Sequence, residues 1–208
     1  MICAGETLAD YVLPDHAKVK RRLSDLQGDD MMVLVLTRGA FCPKDRHHHR
    51  ELARFHPELV VGFTRLVTIT TDDWHTANNM RQQLGAHWPF LLDEDRRLRR
   101  DLDIPEYTDT EHEVMIPHTL VMKPGLVVHR VWNGYYYWGR PSMAELHTEL
   151  REATREIRPD WDPMRAELRA EWERGEKRNF YPHGSKSMEQ TLTEMAGAVD
   201  QYAGAAGE

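Results

Sequence analysis

Seven consecutive apolar or β-branched residues, Met31-Met32-Val33-Leu34-Val35-Leu36-Thr37, run through Arg38-Gly39-Ala40-Phe41 into Cys42-Pro43-Lys44-Asp45. A short apolar run without polar alternation reads as a strand buried on both faces, which needs a layer of helix on each side. A glycine turn follows the strand, and a cysteine opens a helix. At a helix start the backbone amides lack partners and the dipole is positive, so a thiolate is favoured over a thiol. Such a setting brings a cysteine from about 8.5 into the range of roughly 3.5 to 7.5. Cys42 is therefore the first candidate for chemistry, and a nucleophilic thiolate points to redox work. Free cysteines are also common as small buried hydrophobes, and only this junction position argues against that reading.

The rest of the chain alternates. Arg65 to Thr71 is a second apolar, β-branched run. Between the two strands, Leu52, Phe55 and Leu59 mark one helical stripe over Lys44 to Val61, with a kink or break expected at His56-Pro57. Asp72-Asp73 heads a helix over Trp74 to Leu84, and Gly85 stands where a C-terminal cap is expected. Trp88 to Leu92 reads as a short strand and Asp93 to Leu102 as a charged helix. His118 to Lys123 and Leu126 to Trp132, split by Pro124-Gly125, make a hairpin. Ser142, with Glu145 three residues on, opens a long helix carrying Met143, Leu146, Leu150, Ala153 and Ile157. This order gives an α/β fold, a central mixed sheet flanked by helices. Arg158 to Pro163 breaks the pattern, so the domains expected are 1–158 and a helical extension, 159–208. In the extension, Met164 to Gly175 and Ser187 to Tyr202 form helices around Phe180 to Gly184, and 203–208 fray.

Composition narrows the function. The 208 residues carry 27 basic and 34 acidic groups, a net charge of -7, with no long basic stretch interleaved with aromatics, so nucleic acid is not an expected partner. No apolar window is long enough to cross a membrane, and the first thirty residues lack a secretory pattern, so no membrane partner and a cytoplasmic location are expected. Two cysteines, Cys3 and Cys42, make no disulfide framework and suit a reducing compartment. Cys3, in the N-terminal segment, reads as incidental.

Phe41-Cys42-Pro43 at the first strand-helix junction, Trp88-Pro89-Phe90-Leu91-Leu92-Asp93 before a charged helix, and Ile116-Pro117-His118-Thr119 opening the hairpin resemble the thioredoxin-like superfamily. Within it the chain is similar to the AhpC/TSA (redoxin) peroxiredoxin-like family, over roughly residues 5 to 158. The resemblance implies a nucleophile at Cys42, a cis-proline facing it at Pro117, antioxidant chemistry with no cofactor, and pairing of two copies through sheet edges. Three departures stand beside it. Asp45 occupies the place of the second cysteine in Cys-x-x-Cys; Val35 and Gly39 replace the proline and the hydroxyl residue of the peroxide-holding motif; and Ile116-Pro117 stands where an arginine is usual. Arg38 is the candidate for supplying that positive charge.

The residues themselves allow a single activated thiolate to reduce a peroxide or disulfide and to be recycled by an external thiol, or by Cys3 if its segment reaches. Asp45, one turn beyond Cys42, could accept or relay a proton, or simply be a favourable acid in a first turn. His47-His48-His49 raise a metal alternative: Cys42, Asp45 and His49 at i, i+3 and i+7, with His118, are donor types for zinc or copper. The blander reading leaves these histidines as helix residues. The aromatic run Trp132 to Arg140 could wall a pocket, form an interface or cover the core. Expected functions are thus a one-cysteine oxidoreductase through Cys42, with Asp45, Pro117 and Arg38 around it; a metal-binding module; or a redox-inert binding protein.

Overall fold

The computed structural model describes residues 2–135 and 138–176, together with Glu189 and Thr193. Two compact units are formed, Met1–Glu149 and Leu150–Glu208. In the first, β1 (Val12–Pro14) and β2 (Lys20–Arg22) make a small antiparallel ladder, followed by α1 (Leu23–Gln27). Then come β3 (Met31–Thr37), α2 (Pro43–Val61), β4 (Thr64–Thr70), α3 (Trp74–Gln83), β5 (Phe90–Leu92), α4 (Arg97–Asp101), β6 (His118–Lys123) and β7 (Val127–Asn133). A long helix, α5 (Met143–Ile157), runs across the division between the units, and the second unit continues with a 3-10 turn, Pro159–Trp161, and α6 (Ala166–Glu173). No helix among the described residues is long and apolar enough to cross a membrane.

The main sheet has the order β5-β4-β3-β6-β7. β3, β4 and β5 are parallel, while β6 runs antiparallel to both β3 and β7. The apolar run therefore lies at the centre, and all seven of its residues are buried. Successive side chains point to opposite faces. Met32, Leu34 and Leu36 join Val67, Ile69, Leu91, Leu120 and Met122 in one hydrophobic cluster with Leu13, Leu23, Leu98 and Met115. Putting β3 at the centre also fixes where it ends: Thr37 passes into Arg38-Gly39 at the carboxyl end of the parallel strands, and Cys42 begins α2 there.

Local sequence signals set most helix ends. Asp73 accepts the Thr76 amide at 2.8 Å as the N-cap of α3. At its other end Gly85 takes φ +61°, with Gly85 N donating to Gln82 O and Ala86 N to Arg81 O, the paired bonds of a Schellman motif. Ser142 and Glu145 form the expected capping box, Glu145 N donating to Ser142 Oγ at 3.2 Å and Ser142 N to Glu145 Oε2 at 2.8 Å.

Other expectations are corrected. α2 continues through Pro57 to Val61 without a break. Leu52, Phe55 and Leu59 stay buried on both sides of the proline, so packing outweighs the backbone bond lost there. α4 begins at Arg97 and not at Asp93, because the Asp93 carboxylate accepts the Leu98 and Arg99 amides at 2.9 Å each and Arg96 turns back through φ +58°. Residues 12–27 hold the small ladder and α1, which no periodicity announced. The expected cis-proline is absent: no described peptide bond is cis, so Ile116–Pro117 is trans. Trans is the lower-energy form, and the segment is held by its contacts: Ile116 N donates to Ile104 O at 2.7 Å, and the Pro117 ring lies against Gly134, where a Cβ would overlap it. The expected helix at Ser187 to Tyr202, the segment Phe180 to Gly184 and the end at 203–208 lie outside the described residues, apart from Glu189 and Thr193.

Candidate active site

The turn that delivers Cys42 is shaped by its neighbours. Gly39 has φ +122°, a region side chains avoid, and a Cβ there would come within 2.5 Å of Asp72 Oδ1. Asp72 Oδ2 accepts from Ala40 N at 2.8 Å and from Thr70 Oγ1 at 3.0 Å, and Thr37 Oγ1 accepts from Gly39 N at 3.2 Å. Burial raises the Asp72 pKa above its ordinary value against these two hydrogen bonds. The glycine at the peroxide-holding position is thus a steric requirement of this turn. Gly39→Ala should cost on the order of 2 kcal/mol, through positive φ and a displaced Asp72. Chemical denaturation of the variant checks it, an unchanged midpoint being the contrary result.

Cys42 is the N-cap of α2, Pro43 is its first helical residue, and Cys42 O accepts the Arg46 amide at 3.0 Å. The thiol is only 2% exposed. Two guanidinium groups reach it, Arg38 Nη1 and Arg140 Nη2, each 3.9 Å from Sγ. Asp45, buried in the first turn of α2, ties both arginines down. Its Oδ1 accepts from Arg140 Nε at 2.8 Å and Nη2 at 2.5 Å, and its Oδ2 accepts the Arg38 backbone amide at 2.9 Å. The Arg140–Asp45 pair is nearly dry, with side chains 10% and 2% exposed.

Arg38 is held from the other side as well. Its Nη2 donates to Asp109 Oδ2 at 2.8 Å, and its Nε lies 2.6 Å from Glu106 Oε2, a charge contact without hydrogen-bond alignment. Phe41 stacks on His112 with ring centroids 3.8 Å apart, and His112 Nδ1 meets Asp109 at 3.1 Å. Burial pulls the Arg38 pKa down, but Glu106, Cys42 and Asp109 together outweigh it and hold it above its ordinary value. The segment from Pro105 to Met115 is thereby fastened beside the sulfur.

Beneath the cysteine, a buried chain fixes α2 to the sheet. Trp88 Nε1 donates to Thr68 Oγ1 at 2.9 Å, Thr68 Oγ1 pairs with His49 Nε2 at 3.1 Å, and His49 Nδ1 pairs with Asp45 O at 2.7 Å. A carbonyl only accepts, so Nδ1 carries the proton and Nε2 accepts from the threonine. Burial lowers the His49 pKa despite the Asp45 carbonyl, and pushes the His48 pKa well below the usual range. Neither ring nitrogen of His48 has a hydrogen-bond partner among the described residues. His47 is exposed, 3.7 Å from Glu51.

The expected metal donors are not assembled as a ligand set. Both nitrogens of His49 and both oxygens of Asp45 are engaged as above, His118 Nδ1 donates to Ile116 O at 2.8 Å, and two cations flank the sulfur. Pro117 does line one tight recess together with Asp45, His48, His118 and Arg140. Cys3 lies elsewhere. Gly5 N donates to Val128 O and Val128 N to Glu6 O, and Val128 is level with Met122 and Met32, five residues before Thr37. Five strand residues span about 17 Å. Even with the Cys3–Glu6 turn pointing toward the site, the gap exceeds the roughly 7 Å between Cα atoms that a disulfide allows.

Arg140 is the residue the sequence reading passed over, as the last letter of an aromatic run. Of that run, Tyr135 and Trp138 are 77% and 89% exposed, so these two do not cover the core. Tyr136 and Tyr137 lie outside the described residues.

The AhpC/TSA family model matches residues 4–131, which includes β3, Cys42 and all but the last two residues of the hairpin. The chain belongs to the AhpC/TSA family. A provisionally named peroxiredoxin of Mycobacterium tuberculosis is 33% identical over 92 residues, 43% of this chain, and the chain spans 58% of that relative's length. Among solved structures, peroxidoxin BcpB of Mycobacterium tuberculosis superposes with a TM-score of 0.63 at 23% identity, covering 74% of this chain and 97% of that one. A yeast mitochondrial 1-Cys peroxiredoxin gives 0.63 at 14% identity, covering 79% and 85%. These likenesses give the AhpC/TSA chain the thioredoxin-like fold of the peroxiredoxins.

Proposed function

We propose that this protein is a one-cysteine thiol peroxidase whose nucleophile is Cys42. The observation that carries the reading is a cysteine at a helix start between two guanidinium groups, each 3.9 Å from the sulfur. The thiolate is the attacking form, and the two cations face the oxygens on which charge develops as the peroxide bond breaks. The thiolate attacks one peroxide oxygen. An S–O bond forms, the O–O bond breaks, and the departing alkoxide or hydroxide takes a proton to leave as alcohol or water. The sulfur, oxidised by two electrons to sulfenic acid, is then attacked by an external thiolate, forming a mixed disulfide and water. A second thiolate attacks that disulfide and restores Cys42.

In this reading Arg38 and Arg140 hold the peroxide in place of the missing motif residues. Asp45 anchors Arg140 and moves no proton, since both its oxygens already accept hydrogen bonds. Pro117 shapes the floor beside it. Residues 1–158 act as the redoxin domain, with 159–208 as a helical extension. Two cysteines without a disulfide suit a reducing compartment such as the cytoplasm.

The test is sulfenic acid trapping with dimedone after limiting hydrogen peroxide, read by mass spectrometry. Cys42 should label at peroxide levels that leave ordinary thiols intact. Cys42→Ser should abolish peroxide turnover with a small thiol as reductant, and Cys3→Ser should leave it unchanged. Oxidation of Cys42 no faster than that of a free thiol would end the proposal.

A further inference from the structure

A line of direct contacts leads from the reacting sulfur to the surface. Arg38 Nη1 lies 3.9 Å from Cys42 Sγ, and Nη2 of the same guanidinium donates to Asp109 Oδ2 at 2.8 Å. His112 Nδ1 meets both oxygens of Asp109 at 3.1 Å. The circuit closes on the cysteine's neighbour: the His112 ring stacks on Phe41 with planes 7° apart, and Arg38 Cζ lies 5.2 Å from the centre of the Phe41 ring. The His112 amide first, then the Glu111 amide and the His112 ring, hold the Asp109 pKa below its ordinary value, so this carboxylate is ionised and only accepts. Nδ1 therefore keeps its proton in either state of the imidazole, and Nε2 is the atom that titrates. With 43% of its side chain exposed, the ring exchanges that proton with water.

We infer that His112 is a positioning residue of the peroxidase reaction, whose charge decides how Arg38 is divided between Asp109 and the reacting centre at Cys42. This role rests on the peroxidase reading and adds a pH-dependent residue to it. While His112 is neutral, Asp109 offers its full charge to Arg38. Once Nε2 takes a proton, the imidazolium shares that carboxylate, and the guanidinium is freer to follow the negative charge that develops on the departing oxygen. The other charged groups around the segment carry both signs. Glu106, Glu111 and Glu113 lie on it, Arg38 follows β3, and Lys44 is in the first turn of α2. From α4 and its cap, Arg96 meets Glu113 at 3.5 Å and Arg99 donates to Val114 O at 3.2 Å. His112 touches Asp109 directly, and the rest stay as they are when His112 alone is replaced.

The experiment measures the second-order rate of Cys42 oxidation by hydrogen peroxide across the pH range in which His112 takes its proton, that titration being followed by NMR of the ring. Dividing the rate of a variant by that of the parent chain at each pH removes the ionisation of Cys42, which both share. His112→Gln should match the parent at the alkaline end and fall about threefold behind it at the acid end, the ratio turning at the pH where the ring is seen to titrate. His112→Arg, planar and charged at every pH, should carry the acid-end advantage into the alkaline range. A residue that only packs against Phe41 or holds its segment would slow both variants by the same factor at every pH. That outcome, or rates equal to the parent throughout, would overturn the role of His112 while leaving the peroxidase standing. Failure of hydrogen peroxide to oxidise Cys42 in the parent chain at any pH would remove the peroxidase reading and this one with it.

Discussion

Replacing Arg140 with methionine should slow oxidation of Cys42 by hydrogen peroxide roughly a hundredfold, the usual scale for losing one preorganised donor from a developing charge. The same change should destabilise the fold. Arg140 and Asp45 form a pair that is 10% and 2% exposed, and removing the cation leaves a buried carboxylate with only the Arg38 amide for company. Breaking a buried pair from one side costs about 3 to 5 kcal/mol. The two effects separate in a double-mutant cycle. Arg140→Met with Asp45→Asn removes the uncompensated charge, so much of the stability should return while the rate stays low. Stopped-flow oxidation and urea denaturation of the four proteins read both quantities. A variant that keeps its rate would show that Arg140 serves only as the buried partner of Asp45 on α2.

The second large effect is loss of stability in mild acid. Helix α2 buries His48, His49 and His56, and burial lowers the pKa of all three, with His56 lowered to about 4. An unfolded histidine titrates near 6.5, so below that pH the unfolded chain binds more protons than the native one, and stability falls as pH falls. The contribution is fully present above pH 6.5 and is lost progressively toward each folded value. For His56 alone the full loss is about 3 kcal/mol, and by pH 5 it is about 2 kcal/mol. His48 and His49 add in the same direction. Asp72 and Asp93, raised mainly by burial, oppose the trend as they take up protons at lower pH. Urea midpoints at pH 7.5 and 5.0 should therefore differ by several kcal/mol in stability, and His56→Leu should narrow the difference. A flat profile across this range would contradict the burial of neutral imidazoles in α2.

What could be read from the residues followed their range of interaction. β3 was legible to the residue, because a continuous apolar run has few ways to be buried. The start of α2 at Cys42, the Asp73 cap and the Ser142–Glu145 box were legible because each is made within four residues. Arg140 was not. Its partners lie 95 and 98 positions away, and nothing in its neighbours announces an ion pair. Glu106 and Asp109 escaped for the same reason, since the segment between α4 and β6 has no period to betray what it touches. The error at Pro117 has a different origin: a motif suggested the bond's isomer, whereas the chain keeps the trans bond and holds the segment against Ile104 and Gly134. The triple histidine misled through composition. Adjacent positions on a helix face different ways, so one ring is solvated, one is hydrogen-bonded and one is boxed in.

The location of Cys3 at the far level of the sheet has a practical corollary. In the one-cysteine cycle proposed above, an oxidised Cys42 would have no thiol of this sequence within reach to finish the cycle, so its lifetime would be set by how much reductant the surroundings supply. Under scarcity a second peroxide would arrive first and drive the residue to the sulfinic state, from which simple thiols do not rescue it. Such a molecule would fall silent in a cell depleted of thiols, so its surviving activity would gauge the cell's reducing reserve.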